Sequence, residues 1–71
     1  MTERIISEIS GDWRVVIEYN HARNLYGTYE YITENGIEHP YPVHVSYSKT
    51  LQEAKESTCS AFWDILGVHQ N

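Results

Sequence analysis

At Thr50 the chain changes its periodicity, and that change sets the order of its elements. Before it, Val43, Val45 and Tyr47 alternate with His44, Ser46 and Ser48, the two-residue period of a strand. After it, Thr50-Leu51-Gln52-Glu53 reads as a capping box. The threonine hydroxyl can accept from the Glu53 amide, and the Glu53 carboxylate can reach back to the Thr50 amide. Sheet therefore comes first and one closing helix last.

The strands upstream announce themselves in the same way. A first strand is predicted over 4–9, with Ile5, Ser7 and Ile9 on one face and Ile6 on the other. Ser10-Gly11-Asp12 is a turn signal, and Trp13 to Tyr19 then alternates. Trp13, Val15, Ile17 and Tyr19 share one face; Arg14, Val16 and Glu18 share the other. The polar run Asn20-His21-Ala22-Arg23-Asn24 reads as a loop. A third strand is expected from Tyr26 or Gly27 to Thr33, followed by Asn35-Gly36. Both of those residues tolerate positive φ, as a two-residue type I′ hairpin requires.

Taken literally, that turn sets Glu34 opposite Ile37, Ile32 opposite His39, Tyr31 opposite Pro40 and Tyr29 opposite Pro42. The two prolines then occupy positions that lose no ladder bond, at the border of the sheet. The same register puts Val43, Val45 and Tyr47 on the face of Ile32, Glu30 and Tyr26. Tyr29 and Tyr31 fall on the opposite face. Either a bulge near residues 39–41 re-phases the strand, or one sheet face exposes a tyrosine–proline patch.

A helix is predicted from Leu51 to about Leu66. At about 100° per residue, Leu51, Ala54, Thr58, Ala61, Phe62, Ile65 and Leu66 form its apolar stripe. Gly67 is placed to end it in a left-handed conformation, with apolar Val68 following. The expected core is this stripe against Trp13, Val15, Ile17, Val43 and Val45. The fold class is thus α+β: a meander of about four antiparallel strands with one C-terminal helix on one face, in the order ββββα.

Seventy-one residues make a single small domain, near the lower limit for one sufficient core. A hydrophobic fraction of 41% and an aromatic fraction of 13% are globular values. Ten acids against five bases give a net charge of −5, which repels nucleic acid unless Arg14, Arg23, Lys49 and Lys55 cluster. The acids are scattered, without the dense stripe of a phosphate-backbone mimic. Cys59 is the single cysteine, so no internal disulfide forms. No signal-like or bilayer-length apolar segment is present, and a reducing, cytoplasmic setting is expected.

The candidate partner-binding residues are Trp63, Tyr29 and Tyr31, with Glu56 on the rim. Trp63 lies about 150° around the predicted helix from the centre of its apolar stripe, beside Cys59, Glu56 and Gln52. Tryptophan there suits an interface anchor; the bland alternative folds it against Val68 across the helix end. Tyr29 and Tyr31 could stack on a base or a protein, or be buried by the bulge.

Metal and catalytic readings find little to use. His39 and His44 differ in strand parity, and neither they nor His21 and His69 show a metal-ligand spacing, so no metal or other cofactor is expected. Cys59 has no predicted histidine beside it. Glu18 and Glu30 could form a carboxylate pair, but read better as solvated strand acids. The expectation is a non-enzymatic protein-binding or regulatory domain that captures a partner, or pairs with its own copy as a homodimer. One alternative is a nucleic-acid module using Tyr29, Tyr31, Arg14 and Arg23; another is a self-associating structural protein.

Overall fold

The computed structural model describes residues 1–68. Five strands form one antiparallel sheet: β1 (Thr2–Ser10), β2 (Trp13–Asn20), β3 (Leu25–Glu34), β4 (Ile37–Glu38) and β5 (His44–Ser48). β1 pairs with β2 and β2 with β3, while β4 and β5 both pair with β3. The meander therefore closes on a fourth strand broken into two pieces. Helical segments follow: α1 (Leu51–Glu56), a single 3₁₀ turn (Ser60–Phe62) and α2 (Trp63–Leu66). The class is α+β, with the helices on one face of the sheet. Among the described residues no helix is long and apolar enough to cross a membrane.

The turns obey their local chemistry. Asn35 and Gly36 take φ of 54° and 79°, the double positive φ of a type I′ hairpin, and Glu34 faces Ile37. Gly11 takes φ of 61° between the paired Ser10 and Trp13. Asn20 closes the β2–β3 loop, its side-chain oxygen accepting from the amides of Ala22 and Arg23.

The hairpin register does not last. His39 donates its amide to the Ile32 carbonyl, as an unbroken ladder requires. Glu30 would then face Tyr41, but it faces His44, three residues further along. The bulge expected near residues 39–41 is thus an irregular link that spans both prolines. Neither Tyr31–Pro40 nor Tyr29–Pro42 forms; Tyr29 faces Val45. Because three is odd, β5 changes phase. Val45 and Tyr47 join Tyr29 and Gly27 on one face, while His44 and Ser46 join Glu30 and Thr28 on the other.

The helices cover the second of these faces. The core comprises Val15, Ile17, Ala54, Phe62, Leu66 and Val68, with Ile6, Tyr26, Leu51 and Trp63 packed against it. Burial of each large member is worth about 1.5–3 kcal/mol. The expectation that Trp13, Val43 and Val45 belong to this core is corrected: all three are exposed, and Val45 lies on the uncovered side.

The single helix expected over 51–66 is also corrected. It opens as predicted, Thr50 Oγ1 accepting the Glu53 amide at 3.1 Å. The return half differs, since the Thr50 hydroxyl donates to the Glu53 carboxylate. It breaks at Ser57–Cys59, where two hydroxyls compete for helix carbonyls. Ser57 Oγ donates to the Ala54 carbonyl and Thr58 Oγ1 to the Lys55 carbonyl, each at 2.7 Å. The Cys59 amide, which a continuous helix would send to Lys55, donates instead to Glu30 Oε1 at 2.7 Å. After the break the stripe is re-aimed: Phe62 and Leu66 go in, while Ala61 and Ile65 stay exposed. Gly67 ends α2 in the left-handed region at φ 75°, with the Val68 amide bonded to the Trp63 carbonyl at 2.9 Å.

Candidate functional site, the uncovered sheet face

The site is the face that the helices leave bare. Cross-strand register assigns it directly: Ser7, Val16 and Tyr29 form one row, Ile9, Arg14 and Tyr31 the next, and Arg4, Glu18, Gly27 and Tyr47 a third. Val45 extends the Tyr29 row. Ile9 is 67% exposed, Tyr47 60% and Val45 41%. Val16 is buried even on this side. Isolated exposed apolar residues are ordinary; these three share one face, Ile9 on β1 and Val45 and Tyr47 on β5, with Tyr29 and Tyr31 of β3 between them.

Local chemistry holds the aromatic groups in place. The Tyr29 ring lies back over Gly27, so closely that a Cβ on the glycine would stand 2.7 Å from the tyrosine hydroxyl oxygen. Glycine leaves the space in which the ring lies. Tyr47 meets Tyr29 edge to face, ring centres 6.4 Å apart at 89°. Burial, and then the neighbouring Tyr47 hydroxyl, push the Tyr29 phenol up to about 12. Tyr31 lies under the Arg14 guanidinium, 4.8 Å from ring centre to Cζ.

Arg14 is also committed to an acid. Its Nε and Nη2 each donate to a Glu38 carboxylate oxygen at 2.8 Å, a bidentate pair that ties β2 to β4. The Glu38 carboxylate raises the pKa of Arg14, and the guanidinium lowers that of Glu38. Arg4, Arg14, Val16, Glu18, Tyr29 and Tyr31 line a shallow hollow of about 80 Å³. Small-molecule sites usually enclose roughly 300–1,000 Å³, so the hollow is a feature of a broad surface rather than a ligand pocket.

Of the residues singled out from sequence, Tyr29 and Tyr31 share this face; Trp63 and Glu56 do not. Trp63 is half-buried on the helix side, packed on the core, its indole N–H donating to the Thr58 carbonyl at 3.0 Å. The break in the helix removes the angular count that had set it apart from the stripe. Glu56 is exposed on α1 and accepts from Gln52. Ile9, Val45 and Tyr47 were missed, because their facing depends on the three-residue link.

Glu30 and Glu18 are also corrected. They stand on opposite faces and form no pair. Glu30 is not solvated but 5% exposed, accepting the Cys59 amide. His39 and His21 contact Glu34 and Glu3 at the surface, at 2.6 and 3.2 Å. Among the described residues no group of three or more His, Cys, Asp or Glu side chains could hold a metal ion; His69 lies outside them. No protein-family model, curated protein or solved structure matches this chain.

Proposed function

We propose that this chain is a small, non-enzymatic, cytoplasmic binding or regulatory module that recognises a protein through the uncovered face of its sheet. One observation carries the reading. The strand that leaves the hairpin turns Val45 and Tyr47 toward water, beside Tyr29, and turns Ser46 toward the helices. A domain this small gains from burying such side chains, so their exposure side by side supports a surface that a partner would complete.

The charged groups nearby favour protein over nucleic acid. Arg14 is neutralised by Glu38, and Arg4 stands opposite Glu18 in the ladder. A phosphate backbone would need free cations here. The test is capture from native lysate with and without nuclease, using wild type and Val45→Glu. Nuclease-resistant capture that Val45→Glu abolishes is the expected result. Capture lost on nuclease treatment, or indifferent to Val45→Glu, refutes the reading.

A further inference from the structure

We infer that the occupant of the uncovered face is a second copy of this chain, packed sheet against sheet about a twofold axis. The inference rests on the protein-binding reading above and names its partner. Charge supplies the first argument. The whole chain carries −5. The charged side chains of this face are Arg4, Arg14 and Glu18, with Glu38 held by Arg14, and their formal charges cancel. The entire excess of acid therefore lies elsewhere. Two copies repel through their other surfaces and approach without penalty through this one. Opposite signs balanced within one face also leave no net charge to bring against a copy of itself.

Area supplies the second. The Cα framework measures 36 × 34 × 15 Å, a slab with one broad side uncovered. A standard interface takes about 800 Å² from each partner, and the span of the framework bounds this side at about 1,200 Å², which leaves room for one. Stacked sheets pack about 10 Å apart, so Val45, Tyr47 and Ile9 would fill the layer between them.

The experiment is sedimentation equilibrium of the full chain across a dilution series, at low and high salt, with far-UV circular dichroism on every sample. Wild type is expected at twice the 8.3 kDa chain mass, with the dimer strengthened by salt as acidic repulsion is screened. Val45→Glu on β5 and Ile9→Glu on β1 each raise the dissociation constant by at least about thirtyfold. Ile65→Glu, at an exposed apolar residue of α2, leaves it unchanged. Two variants on separate strands guard against loss of folding in either one. A dimer indifferent to both variants is joined elsewhere, through the free edge of β1 for example, and overturns the inference. A chain that stays monomeric at all concentrations overturns it too. If nuclease-resistant capture remains sensitive to Val45→Glu in that case, the protein-binding reading survives alone.

Discussion

The contact between Glu30 and the Cys59 amide ties the break in the helical layer to β3, and its removal has a calculable consequence. Glu30 is 5% exposed, on the helix-covered side of β3, and accepts that amide at 2.7 Å. A hydrogen bond contributes about 0.5–1.5 kcal/mol, and a partly buried donor left without its partner costs about 1–3. Glu30→Ala loses the acceptor and leaves the Cys59 amide seeking water in a half-closed site, so a loss of about 2–3 kcal/mol is expected. Glu30→Gln keeps an oxygen in place and should lose about 1 kcal/mol. Each kcal/mol moves the melting temperature of a domain this size by about 4–8 °C. The two variants should therefore differ by about 5–15 °C. Urea titration and thermal melts measure the ordering, and amide exchange at Cys59 locates it: protected in wild type, fast in Glu30→Ala. Equal stabilities for the two variants, or a Cys59 amide that already exchanges freely in wild type, would refute the claim that the carboxylate holds the break.

Three further outcomes follow from the open face. Tyr29, with its pKa raised from 10.0 to about 12, keeps its proton in the folded chain while the unfolded chain loses it. Its contribution is thus whole below about pH 10 and is lost as pH climbs toward about 12; Tyr29→Phe flattens that decline, read from urea midpoints at about pH 9 and about pH 11.5. Gly27→Ala displaces the Tyr29 ring that lies 2.7–3.0 Å from the added carbon, and should restore the ordinary phenol titration at 295 nm while the sheet stays intact. Deleting residues 40–42 restores one continuous hairpin, with His44 still opposite Glu30, so stability should change by less than about 1 kcal/mol. A large loss would show that the link does more than shift the phase.

What could be read from sequence was what local chemistry decides. The Asn35-Gly36 hairpin, the Thr50 cap, the Gly67 terminus and the core positions Val15, Ile17, Phe62 and Leu66 each depend on neighbouring residues or on simple period. The facing of β5 does not. It depends on how many residues the link between β4 and β5 consumes, and two prolines within four residues allowed more than one answer. The break in the helix left a visible sign, because Ser57, Thr58, Cys59 and Ser60 are four weak helix formers in a row. The amide freed at the break is taken by Glu30, a residue 29 positions away whose burial no local pattern announces. Trp63 was misplaced for the same reason: its angle was counted through a helix that stops.

The choice of phase for β5 remains to be explained, since the opposite phase would bury Val45 and Tyr47 under the helices. The polar side chains on the covered side answer it. Thr28 donates to the Ala54 carbonyl at 3.2 Å, Ser46 to the Ser57 hydroxyl at 2.8 Å, and Glu30 accepts from Cys59. No buried side-chain polar atom is left unpaired among the described residues. Thr28 and Glu30 face the helices through the pairing of β3 with β2, so they are buried whatever β5 does. They require a helical layer that comes close enough to present its backbone. Ser46 continues that polar seam, whereas a tyrosine in its row would lift the layer away and strand two buried groups, at about 1–3 kcal/mol each. The small polar phase is therefore the one compatible with the seam, and the apolar phase is driven outward. Hydrogen-bond demand on one face thus sends Val45 and Tyr47 to the other, where both stay exposed.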